Sequence, residues 1–119
     1  MSEGVVAEVI PHEQVVHIIV HRRILDEQST QELVDAVYVA AGQQARVPIV
    51  LDMSRVKFAP SVALGSLVHL SKSFQLDGRR VALVSVDQRI RGTIHVTQLN
   101  KVLDIRETLE DFIRSLPKS

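Results

Sequence analysis

The run Ile49–Leu70, IVLDMSRVKFAPSVALGSLVHL, constrains this chain more than any other segment. An apolar stretch ends in Asp52, a short polar turn follows, and a helix starts at Pro60-Ser61 with apolar Ala63, Leu67 and Leu70 at helical spacing. A buried strand feeding straight into a helix is half of a parallel crossover unit. It also sets one hydroxyl, Ser61, in the first turn of a helix beyond the carboxyl end of a strand. The N–H groups left unpaired at a helix start, and the helix dipole, make such a position hospitable to an anion. The plain alternative is a polar residue at a helix start, where serine is common anyway.

The rest of the chain repeats the alternation. Val5–Ile10 and Val15–Val20 are β-branched runs joined by Pro-His-Glu-Gln, which predicts an antiparallel hairpin. Asp26 can cap a helix from Glu27 to Gln43, with Leu33, Val34, Val37, Ala40 and Ala41 on one stripe and Gly42 near its end. Pro48 introduces a strand over Ile49–Met53. Asp77-Gly78 marks a turn before a strand over Arg80–Val86. A helix over Gln88–Thr97, an edge strand over Lys101–Ile105 and a final helix over Thr108–Leu116 complete the pattern.

The expected fold is therefore α/β: a mixed four- to five-stranded sheet opened by an N-terminal hairpin, with helices mainly on one face. If the strands lie in sequence order, every crossover falls on the same side and the opposite face is only partly covered. Val15, His17, Ile19 and His21 share one side of the second strand and suit such a face. Leu33, Val37, Leu51, Leu67, Leu83 and Phe112 are the expected core, and residues 1–119 read as a single domain.

Composition excludes several classes. Lys plus Arg and Asp plus Glu are equal at 14 each, so no net field favours nucleic acid or an anionic membrane, and 3% aromatics leaves no stacking platform for single strands. No cysteine is present for disulfides or thiolate chemistry, and no apolar run reaches the length of a membrane span. Residues 1–11 lack the basic region of a signal peptide, so a cytoplasmic location is expected.

Catalytic and metal readings fare poorly. His17 and His21 could share a strand face, but no carboxylate stands at ligand spacing beside them and no HExxH occurs. His69 and His95 fall within helices as partly exposed positions. Ser61 lacks the G-x-S-x-G setting of a hydrolase nucleophile, and no glycine-rich phosphate loop is present. Arg79-Arg80 and Arg89, Arg91 read as solvated charge clusters. No enzyme activity, cofactor or metal is expected.

The order of elements, IVLDMSRVKF at Ile49–Phe58, RRILD at Arg22–Asp26 and LNKVLDIRETLEDFI at Leu99–Ile113 together resemble the STAS domain family of bacterial anti-sigma factor antagonists. The resemblance runs over nearly the whole length and implies a STAS-like sheet. It places the family's phosphorylated serine on Ser61, as the candidate phosphoacceptor. The surrounding motif departs from the family's Asp-Ser-Ser/Thr-Gly: here it is Pro60-Ser61-Val62-Ala63, without the acidic neighbour, the second hydroxyl or the glycine.

By this resemblance the protein acts through protein–protein contacts in a partner-switching pathway of transcription regulation. Its partner is an anti-sigma factor or serine kinase, released when phosphate adds about −1.5 to −2 charge at the helix start. The partner surface is expected at Arg22, Arg23, Asp26, Pro60, Ser61, Val62, Ala63 and Leu64, all at one end of the sheet. The degenerate motif also admits an unswitched STAS scaffold subunit of a stressosome-like or lipid-transport complex. A homo-oligomer is allowed; nucleic acid and membrane insertion are not expected.

Overall fold

The computed structural model describes residues 4–117. Five strands form one sheet in sequence order: β1 (Ala7–Ile10), β2 (Val16–Val20), β3 (Ile49–Asp52), β4 (Val81–Val84) and β5 (Asp104–Arg106). The β1–β2 pair is antiparallel and the other three pairs are parallel. The crossovers are α1 (Glu27–Gln43), α2 (Ser61–Leu76) and α3 (Gln88–Val96), and the chain ends in α4 (Leu109–Arg114).

Sequence order in the sheet has a direct consequence for the layers. Right-handed crossovers between neighbouring parallel strands all pass over the same face. Accordingly α1, α2 and α3 share one core with the side chains of Val16, Ile18, Val20, Ile49, Leu51 and Leu83. The last helix follows β5 and is not a crossover, so it is free to take the other face. There Phe112 of α4 lies fully buried with Val15, Val50, Ala82 and Val84. The six expected core residues are all buried. β3 and β4 are covered on both faces over most of their length, which is why they read as unbroken apolar runs. β2 alternates between buried and half-buried, with His17, Ile19 and His21 on the side that α4 only partly shields.

Most boundaries follow the local chemistry. Asp26 and Ser29 form a reciprocal capping box at the start of α1. Gly78, at φ 76°, closes α2 in a Schellman motif in which Gly78 N–H donates to the Gln75 carbonyl and Arg79 N–H to the Phe74 carbonyl. The largest departure lies near the C-terminus. Lys101 is not in a strand: Leu99–Lys101 makes a 3₁₀ turn after Gln98 takes φ 61°, Leu103 turns into the core, and β5 begins only at Asp104.

Arg79 and Arg80 are also not merely solvated. The Arg79 guanidinium donates to the carbonyls of Ala41, Gln44 and Val47, and so satisfies the C-terminal end of α1 from across the fold. Arg80 stacks over the Phe112 ring at 4.6 Å and pairs with Asp104 at 2.7 Å. Both roles depend on elements distant in sequence.

Candidate partner-binding site at the carboxyl end of the sheet

Two loops meet beyond the carboxyl ends of β2 and β3. In one, His21–Leu25 leads into α1; in the other, Met53–Pro60 leads into α2. Backbone bonds tie them together. Lys57 N–H and Phe58 N–H both donate to the Arg23 carbonyl, at 2.7 and 3.1 Å, and Leu25 N–H donates to the Phe58 carbonyl at 3.0 Å. Met53, Val56 and Ala59 anchor the second loop in the core. The two expected halves of the site are thus held side by side by a rigid framework.

Pro60 stands outside α2 as its N-cap, with φ −65° and ψ 163°, and Ser61 takes the first helical position. The first intrahelical bond runs from Leu64 N–H to the Pro60 carbonyl at 3.1 Å. Proline offers no side-chain acceptor, so no side chain caps the N–H groups of Ser61, Val62 and Ala63. Ser61 is exposed, and its neighbour Val62 is 68% exposed. The dipole end of a 16-residue helix is therefore presented with a free hydroxyl and an apolar side chain beside it.

The remaining site residues divide by role. Arg23 is exposed. Arg22 turns back, and its guanidinium donates to the carbonyls of Gly4, Val5 and His21. The Asp26 carboxylate accepts from Ser29 N–H and from the Ser29 hydroxyl, both at 2.8 Å, and these bonds hold its pKa below the usual value. Ala63 and Leu64 are 2% and 0% exposed, because the first turn of α2 directs them onto the core, so their side chains are not part of an exposed surface. That corrects the expectation for both positions.

Two residues escape a sequence reading. Ile24 and Phe58 face each other in an isolated parallel bridge between the loops, yet remain 53% and 57% exposed. Their only sequence signal is an apolar side chain in a loop at a position that fits neither helical nor strand periodicity. Lys57 lies alongside, 3.5 Å from the Asp87 carboxylate that caps α3.

His17 of β2 and His21 just beyond it find carboxylates across the sheet, where sequence spacing cannot place them. His21 Nε2 lies 2.6 Å from Glu8 Oε1 on β1, and His17 Nε2 lies 4.0 Å from Asp52 Oδ2 on β3. Among the described residues, His, Asp and Glu do not gather in threes of the kind that hold a metal ion.

Comparison with known proteins supports the architecture. The STAS domain family model matches residues 7–112, and the chain belongs to that family. A STAS anti-sigma-factor antagonist domain protein from Planctomyces limnophilus superposes with a TM-score of 0.74 at 22% identity, covering 92% of this chain and 95% of that one. An anti-sigma factor antagonist from Mycobacterium paratuberculosis superposes with a TM-score of 0.73 at 23% identity, covering 92% and 91%. The Bacillus anti-sigma factor antagonist SpoIIAA, in its unphosphorylated form, gives 0.71 at 17% identity, covering 94% and 99%. Among the described residues, no helix is long and apolar enough to cross a membrane.

Proposed function

We propose that this protein is a cytoplasmic anti-sigma factor antagonist that works by binding, within a partner-switching pathway, to an anti-sigma factor or serine kinase. The observation that carries the reading is the exposed Ser61 hydroxyl at the uncapped start of α2, beside exposed Val62 and in the end of the sheet that also bears Ile24 and Phe58. A neutral hydroxyl among apolar side chains suits a partner surface that desolvates it. Phosphate on Ser61 would find the N–H groups and dipole of α2, so the fold tolerates it. A partner built for the neutral state would meet a doubly charged group, and a loss of a few kcal/mol is a hundredfold or more in affinity.

Pro60 tempers the switch. A carboxylate in that position would sit beside the hydroxyl and could orient it or a kinase-bound metal ion; proline supplies neither. Native Ser61 is therefore a slow phosphoacceptor. The test incubates the native protein, Pro60→Asp and Ser61→Ala with a partner-switching anti-sigma kinase and ATP, and follows intact mass. Phosphate that appears faster on Pro60→Asp than on the native chain, and not at all on Ser61→Ala, supports the reading. Phosphate on another residue, or none on Pro60→Asp, removes Ser61 as the switch.

A further inference from the structure

α1 and α2, the second of which begins at Ser61, leave an open groove between them. It runs from Glu27 and Pro60 at one end to Tyr38 and His69 at the other. Its two parts, about 870 and 500 Å³, share Gln31, Val62 and Ser66 and so form one channel along both helices. From Glu27 to Tyr38 along α1 the groove is about 16 Å long at 1.5 Å per residue, the length of three helical turns.

Its floor is apolar. Ala63 and Leu70 close the bottom, half-buried Val34 stands on one side, and Val62 and Tyr38 remain 68% and 45% exposed. The space over Gly65 in the middle is open: a Cβ built there meets nothing within 4 Å. Tyr38 is fixed at the far end by stacking on Phe74, with ring centroids 5.0 Å apart, and by a 2.9 Å hydrogen bond from its hydroxyl to Ser73.

The banks are electrically unequal. α1 has no lysine or arginine; its Glu27 and Glu32 line the groove with the N-cap Asp26, and Asp35 lies on the same helix outside the lining. α2 contributes one cation, Lys72, and no carboxylate. Several other carboxylates have cationic partners: Asp87 with Lys57, Asp104 with Arg80 and Arg106, Glu107 with Arg91. On α1 the contacts are neutral, Gln28 donating to Glu32 and Gln31 to Asp35, and among the described residues no ion pair reaches Glu27, Glu32 or Asp35. The α1 wall of this apolar channel thus bears Glu27 and Glu32 without an ion-pair partner among the described residues, while Arg22 and Arg23 share a second hollow with Asp26 and Glu32 at its head.

We propose that this groove receives an amphipathic, positively charged helix of a protein partner. Apolar side chains at i, i+3, i+4 and i+7 would lie on the floor from Val62 to Tyr38, and lysines or arginines would face the α1 bank. The groove begins beside Ser61, but the proposal stands without phosphorylation and without an anti-sigma factor as the partner.

The test titrates ¹⁵N-labelled protein with a synthetic three-turn peptide that has leucine at those spacings and lysine or arginine elsewhere, and with a twin in which every basic residue is glutamate. The expected result is amide shifts confined to Gln31, Val34, Tyr38, Val62, Gly65 and His69, with affinity falling at least about fivefold as salt rises tenfold. The glutamate twin should not bind. Gly65→Lys, which fills the gap and places a cation on the floor, and the surface pair Glu27→Lys with Glu32→Lys should each weaken binding about tenfold or more. Absent shifts, shifts outside the groove, equal binding of the glutamate twin, or undiminished binding by the charge-reversed surface pair would overturn the proposal.

Discussion

Ile24 and Phe58 pair across the two loops that frame Ser61, in a bridge that belongs to no strand, and both side chains stay more than half exposed. The backbone of this pair is fixed by bonds from Lys57, Phe58 and Leu25, while both residues stand among the exposed large apolar ones. Apolar groups held rigidly in water are suited to recognition, since little ordering remains to oppose binding.

Ile24→Asp and Phe58→Asp should therefore each reduce affinity for the proposed anti-sigma or kinase partner about tenfold or more, with little change in thermal midpoint. Isothermal titration and a melting curve on the same samples check this. Unchanged affinity in both variants would move the partner surface away from the paired loops.

Leu64 behaves oppositely. Its side chain is fully buried in the core shared by α1, α2 and α3, so Leu64→Ala should cost about 2–5 kcal/mol of stability. Leu64→Lys would then report unfolding rather than loss of contact. Val62→Lys, at an exposed position two residues earlier on the opposite side of the helix, is the informative probe of the surface and should leave denaturant unfolding nearly unchanged.

His17 sets a pH dependence. Its side chain is 14% exposed, and its Nε2 is buried with no hydrogen-bond partner among the described residues. Burial lowers its pKa from the ordinary 6.5, an effect that nearby Asp52 only partly offsets. The unfolded chain therefore takes up a proton near pH 6.5 that the folded chain resists, and stability falls as pH drops below that value. Chemical denaturation at a series of pH values should show this slope in the native protein and its reduction in His17→Leu. An identical slope in both would place the titrating group elsewhere.

Arg79 ties the end of α1 to the start of β4 through bonds to three carbonyls. Arg79→Met should lose about 2 kcal/mol or more, because half-buried carbonyls are left without donors. Arg79→Lys should restore only part of this, since an ammonium cannot reach all three acceptors as the planar fork does. Equal stability of the lysine variant and the native protein would show that charge, not geometry, supplies the effect.

Much of this molecule was readable along the chain because the signals are local. The apolar runs at Ile49–Asp52 and Val81–Val84, the Asp26 cap and the Asp77-Gly78 turn each act within a few residues, and together they dictate an alternating α/β order. Ser61 was legible for the same reason, as the first residue of a helix after a strand. What the tertiary structure alone decided is which side chains of a helix start face outward and which distant groups meet. The burial of Ala63 and Leu64 beside exposed Val62 depends on how α2 is rotated on the sheet. The pairing of Ile24 with Phe58, of His17 with Asp52 and of Arg79 with the end of α1 depends on strand order and register. The groove between α1 and α2 exists because two crossovers were laid side by side over adjacent strands, and no local periodicity encodes the space between them.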